Sequence, residues 1–240
     1  AAEQLPFDFE RELRRVDRLP EPERQRELAA LRARSRIALA LAVPQPLLLM
    51  GRQNAGKSTL FNRLLLRERA LTGARRGLTR DPIAEATTLG GYPFLLIDTA
   101  GELDDAAEPA SVHAIDEAAI VQGRSLRADA LCLLIVDSSC GFGPIEHHLS
   151  AQAALVVANK ADLAAAPWPE NVRCDLRVSG RDSDPAELRQ QLGACLRRHR
   201  NLPEAGAVGG VAALTAAQWR QLEQISGGRA GDCPAPLPSA

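Results

Sequence analysis

Apolar and polar positions change period along the chain. Up to residue 43 the apolar residues recur at helical spacing. Phe7, Phe9, Leu13 and Val16 mark one segment, and Leu28, Leu31 and the apolar stretch 37–43 mark a second, Glu23–Val43, with Pro20 and Pro22 between them. After Pro46 short apolar runs alternate with amphipathic ones. Strands are predicted at 47–51, Ile83–Leu89, Tyr92–Asp98, Ala130–Asp137, Ala154–Asn159 and Val172–Ser179. Helices are predicted at 57–67, near Val112–Leu126, near Pro144–Ala151 and at Pro185–Arg198. Gly90-Gly91 between the second and third strands is a hairpin signal. Alternating helices and near-continuous apolar strands imply an α/β fold, a mostly parallel sheet covered on both faces and preceded by N-terminal helices. Beyond residue 199 glycine and proline take over, predicting a linker, a short helix around Leu214–Ile225 and a disordered tail. The expected organisation is a helical extension over 1–45, an α/β domain over 46–199 and a C-terminal segment over 200–240.

Candidate chemistry starts in the loop after the first predicted strand. It reads GRQNAGKST from Gly51 to Thr59, fits GxxxxGKS, and lies between apolar Leu47–Met50 and an amphipathic run from Leu60. Strand, glycine loop and helix in that order form a phosphate site. Gly56 lets the loop amides from Asn54 and Ala55 to Thr59 close around phosphate oxygens at a helix N-terminus. Lys57 then reaches the β- and γ-phosphates, and the Ser58 hydroxyl can ligate Mg2+.

Further motifs follow in order. Asp98-Thr99-Ala100-Gly101 closes an apolar strand, so Asp98 can hold the Mg2+ shell and the Gly101 amide can approach the γ-phosphate. Thr79, in Gly77-Leu78-Thr79-Arg80-Asp81, is a further Mg2+ ligand candidate, one that engages only while the γ-phosphate is present. The base is addressed by Asn159-Lys160-Ala161-Asp162 after apolar Leu155–Ala158. The Asp162 carboxylate can accept from N1–H and the 2-amino group of guanine, donors that adenine lacks. Asn159 can bridge loops and meet the base edge, the Lys160 stem can pack along the ring, and Ser179-Gly180 offers a backbone N–H to the guanine oxygen. Asp162 therefore points to GTP and GDP as ligands, and a P-loop kinase or ATPase does not fit NKAD followed by VSG.

Composition adds little to this and removes several alternatives. The 240 residues are 45% hydrophobic and 25% charged, enough for a sizeable core, and the net charge of −1 advertises no global attraction to nucleic acid. Arg24, Arg26, Arg32, Arg34 and Arg36 make the second helix locally basic, as a solvated face relieved by Glu23 and Glu27 or as a contact for RNA or ribosome. Of 29 Lys and Arg residues only Lys57 and Lys160 are lysine, and both lie in nucleotide signatures where a compact ammonium is needed. The five cysteines, Cys132, Cys140, Cys174, Cys195 and Cys233, have no zinc-ligand spacing. Cys132 and Cys174 in apolar or alternating runs read as reduced core thiols, which with the absence of an export signal predicts a cytoplasmic protein. Pro44 and Pro46 break the longest apolar stretch, so no membrane partner is expected. The chain begins at Ala1 without Met, as a processed chain or an excised part does.

The ordered set GRQNAGKS, GLTRD, DTAG, NKAD and VSG resembles the translation-factor-related GTPases, in the branch that contains MnmE, Era and Der. NAGKS, the TRD after Thr79, and DTAG lean toward MnmE, and STLFNRL leans toward Der. The resemblance covers residues 46–199 and implies a three-layer P-loop GTPase (G domain) fold. It implies a Mg2+-dependent switch that hydrolyses GTP, with Lys57, Thr79 and Gly101 at the γ-phosphate, linked to tRNA modification or ribosome assembly. Family members with asparagine at the position of Asn54 often bind K+ there and pair their G domains face to face, so a K+ ligand role for Asn54 and a G-domain homodimer are implied.

Glu102 stands where Ras-like relatives have a water-orienting glutamine, so hydrolysis is expected to be slow without K+ or a partner; Asp104, Asp105 and Glu108 are alternatives for orienting water. Leu78 stands where the family usually has threonine, which leaves the Mg2+ role to Thr79. The folate-binding domain and cysteine motif of full MnmE are not visible, nor are the second G domain and RNA-binding domain of Der. A GTP-gated binding scaffold with negligible intrinsic hydrolysis is the alternative reading.

Overall fold

The computed structural model describes residues 5–66, 83–98, 130–204, 210 and 212–226. They fall into two compact units, one joining the chain up to Gln45 with the chain from Leu202, the other running Pro46–Asn201. The helix predicted near Val112–Leu126 and the tail beyond 226 lie outside the described residues.

The first unit packs three helices, α1 (Leu5–Asp17), α2 (Glu23–Ala42) and α6 (Ala216–Ser226). Phe9, Leu13 and Val16 recur every three or four residues, so they line one side of α1, and they meet Leu28, Leu31, Ala213 and Leu222 in one core. Trp219 and Leu39 form a second cluster with Val43 against it. Ser35 continues the buried face of α2, and its hydroxyl accepts the Ala213 amide at 2.8 Å, which satisfies a polar group that burial would otherwise penalise. The C-terminal helix thus shares a core with the N-terminal ones, a joining that local glycine content concealed. The basic residues near α2 are paired in part: Arg24 meets Glu21 at 2.7 Å and Asp17 at 3.5 Å, and Glu27 meets Arg15 of α1 at 3.3 Å.

The second unit carries a six-stranded sheet in the order β2-β3-β1-β4-β5-β6. The strands are β1 (Gln45–Met50), β2 (Ile83–Leu89), β3 (Tyr92–Asp98), β4 (Leu131–Asp137), β5 (Leu155–Asn159) and β6 (Leu176–Arg177). β1, β4, β5 and β6 pair in parallel, and β2 returns antiparallel to β3 through the Gly90-Gly91 turn, where both residues have positive φ. The helices are α3 (Lys57–Leu64), α4 (Pro144–Ser150) and α5 (Pro185–His199). Met50, Leu134, Val136 and Val156 pack with Leu149 of α4 on one face of the sheet. Leu133 and Ile135, which strand alternation sends to the other face, are as fully buried, so both faces are covered.

Two predicted elements come out shorter. The helix expected over 57–67 ends at Leu64. Of Val172–Ser179 only Leu176–Arg177 forms strand, because polar side chains take over the approach: Asp175 Oδ2 accepts the Val156 amide at 2.7 Å, and Arg173 donates to Ala154 O at 2.8 Å. Cys174, expected in the core, is exposed in this stretch, whereas Cys195 of α5 is buried.

Candidate nucleotide site

The loops at the C-terminal ends of β1, β4 and β5 and the one after β6 meet at one place. β1 delivers the chain into Gly51–Gly56, and α3 begins at Lys57. Gly56 has φ +92°, and a Cβ there would overlap the amide nitrogen of Asn159, so any other residue in this turn would be strained and would displace Asn159. Lys57 is buried, its Nζ donating to Gly51 O and Arg52 O at 2.9 Å each. The ammonium is therefore held over the Gly51–Gly56 loop. Asn54, Ser58 and Thr59 are exposed, Ala55 is buried, and Asn54 has a left-handed backbone with φ +62°.

Asn159 ties the loops together. Its Nδ2 donates to Ala55 O and its Oδ1 accepts from Gly180 N, both at 2.8 Å, with the side chain almost wholly buried. The first loop and the one after β6 are thus held by one amide, a bridging duty that uses both of its polar atoms. Ser179 N donates to Ser183 Oγ at 3.0 Å, so the amides of Ser179 and Gly180, expected to face the guanine oxygen, are both engaged with protein groups.

Lys160 has φ +60°, a conformation that side chains with a Cβ seldom adopt, and its neighbours fix it. Ser138 Oγ donates to Lys160 O at 3.3 Å, and Ala161 N donates to Val178 O at 3.0 Å. Its Nζ donates to Asp137 Oδ2 at 2.6 Å. Burial works against the charge on Asp137, but Lys160 and the hydroxyl and amide of Ser139 outweigh it and hold the carboxyl at about 2. The Ser179 hydroxyl, before any other cause, lowers the pKa of Asp162, whose exposed carboxylate is therefore an acceptor in neutral solution.

The match to known proteins lies over these same loops. Residues 47–160 match the family model described as 50S ribosome-binding GTPase. The chain is 42% identical to the tRNA modification GTPase MnmE of Koribacter versatilis over 123 residues, 49% of this chain and 26% of that protein. It is 34% identical to MnmE of a Synechococcus strain over 183 residues, 73% of this chain and 37% of that protein. Against GTPase Der of Treponema pallidum it is 41% identical over 95 residues, 39% of this chain and 21% of that protein. Residues 47–160 are a P-loop GTPase G domain of the kind found in MnmE and Der. It spans between a fifth and two fifths of the length of these relatives.

Within this G domain several functional groups have no signal in the local sequence. Asp137 reads as the end of a strand, and only the β4–β5 register, which sets it opposite Asn159, brings it to Lys160. Arg52 of the phosphate loop reaches Glu146 of α4, Nε to Oε1 at 2.8 Å, a contact between elements far apart in the chain. Asp98 closes β3, the strand next to β1, and is nearly buried. Ser58 and Asp98 supply the hard oxygen donors that Mg2+ prefers, so the described residues fit that ion. Thr79, Gly101, Glu102, Asp104, Asp105 and Glu108 lie outside the described residues.

Proposed function

We propose that the Pro46–Asn201 unit is a GTP-binding switch that hydrolyses GTP to GDP and phosphate, with Ser58 and Asp98 holding Mg2+. The observation that carries this is the clamp of Asn159 on Ala55 and Gly180, which draws the phosphate loop and the base-reading loops to one ligand. Asp162, charged and exposed, reads N1–H and the 2-amino group, and the stem of Lys160 lies along the ring. At the other end Lys57, held by the carbonyls of Gly51 and Arg52, turns its remaining N–H to phosphate oxygens. Bound Mg2+ neutralises charge that develops on the β- and γ-phosphates. These residues act by positioning and charge, and the attacking water is oriented from the segment that carries Glu102 and its neighbours. K+ at Asn54, a face-to-face G-domain dimer and a cytoplasmic location belong to the same proposal, as does a partner from tRNA modification or ribosome assembly, a link supported by the names of the MnmE relatives and by the description of the matching family model.

Calorimetric titration of GDP and ADP tests the reading. GDP binding with no measurable ADP binding is expected, and Asp162→Asn should move preference toward xanthosine diphosphate. Equal affinity for the two would sink it. Single-turnover hydrolysis with and without K+ separates a hydrolytic switch from a GTP-gated scaffold, and K+-stimulated turnover is expected.

A further inference from the structure

Two acidic side chains stand at the ends of one short segment, and each holds a basic residue from a different end of the site. Asp137 closes β4, and Glu146 lies in the first turn of α4. The carboxylate of Asp137 is oriented before it meets Lys160: Oδ1 accepts the Ser139 amide at 3.0 Å and the Ser139 hydroxyl at 2.6 Å. That leaves Oδ2 for the Lys160 ammonium at 2.6 Å, with the Cys140 thiol at 3.6 Å. The ammonium is thereby fixed at the tip of a side chain whose stem borders the base site.

Glu146 is only 3% exposed, and its two oxygens are divided in the same manner. Oε2 accepts the Gly143 amide at 2.9 Å, and Oε1 takes Arg52 Nε at 2.8 Å. A carboxylate so buried needs a cationic partner, and Arg52 is that partner. The guanidinium crosses Gly143 so closely that a Cβ there would overlap it. The Arg52 carbonyl in turn accepts from Lys57 Nζ at 2.9 Å. The anchor in α4 therefore reaches the phosphate-reading ammonium through a single residue of the loop.

We infer that the segment Asp137–Glu146 braces the nucleotide site from both ends, with Asp137 a positioning residue for Lys160 at the base and Glu146 a positioning residue, through Arg52, for the phosphate loop. The inference rests on the guanine-nucleotide reading above. It gives the two acids separable effects, because GMP uses the base end and GDP uses both. Affinities for GMP and GDP, measured by calorimetry on the full chain, distinguish them. Asp137→Asn should weaken GMP and GDP by the same factor, about tenfold, the scale of one lost charge-assisted contact. Glu146→Gln should weaken GDP about tenfold and leave GMP unchanged, and Glu146→Asp should recover part of the loss. Should Glu146→Gln fail to fold, Arg52→Gln at a partly exposed position replaces it with the same expected selectivity. Unchanged affinities in both variants, or losses that are equal for GMP and GDP in the phosphate-end variant, overturn the brace. A wild-type chain that does not prefer GDP to ADP removes the functional reading itself, and the brace with it.

Discussion

At the scale of single residues, the site depends on a few atoms with no spare room. Gly56 combines positive φ with direct contact to Asn159, so Gly56→Ala is penalised by the backbone and by the displaced clamp together. A cost of about 1–3 kcal/mol in stability is expected, with loss of nucleotide binding, checked by urea unfolding and GDP titration. Asp137 gives a pH signature. Its folded carboxyl titrates at about 2, below the ordinary 3.8, so between those values the unfolded chain binds more protons than the folded one. Its contribution to stability is complete above the ordinary value and is lost as pH falls toward 2. Stability of Asp137→Asn should therefore fall less steeply than wild type across that window, as unfolding curves at stepped pH would report.

At the scale of elements, α5 is positioned by its start and by one close approach. Asp184 caps it, with Oδ1 accepting the Ala186 and Glu187 amides at 2.9 Å, and Pro185 follows where its missing N–H is harmless. Farther along, Gly193 lies against the backbone of Gly90 at the β2–β3 turn, within the distance a Cβ would occupy. Gly193→Ala improves helix propensity, yet the clash with backbone atoms decides the sign. A net loss of about 1–3 kcal/mol is expected in a thermal melt, whereas Asp184→Ala should cost about 1 kcal/mol by the same measurement. The glycine pair was not legible as a pair. Gly90 announced a turn, but nothing local in a helix marks Gly193 as its neighbour.

At the scale of the molecule, the described chain divides into a G domain and a helical unit assembled from both termini. In the helical unit Trp219 is fully buried against Leu39, with the Arg32 guanidinium 6.0 Å from its ring centre. Its Nε1 has no hydrogen-bond partner among the described residues, so Trp219→Ala removes apolar contact without breaking such a bond. A cost of about 3 kcal/mol, the low end for a buried tryptophan, is expected in urea unfolding followed by helical circular dichroism. Among the described residues no helix is long and apolar enough to cross a membrane.

The sequence by itself determined what is local. Strand runs, the GxxxxGKS loop and the NKAD motif depend on neighbours in the chain, and their residue types limit what they can do. It placed β1, β3, β4, β5 and the helix at Pro185 to within two residues, and it marked Asn159, Lys160 and Asp162 as candidates for reading a base. Tertiary structure alone decided which distant groups meet. The sheet register set Asp137 beside Lys160, the packing of α4 brought Glu146 to Arg52, and Asn159 came to bridge Ala55 and Gly180. It also joined α6 to α1 and α2, because an amphipathic helix shows that it has a face to bury and not what will cover it. Charge pairing and apolar burial act through space, and a single chain records only one partner of each contact at a time.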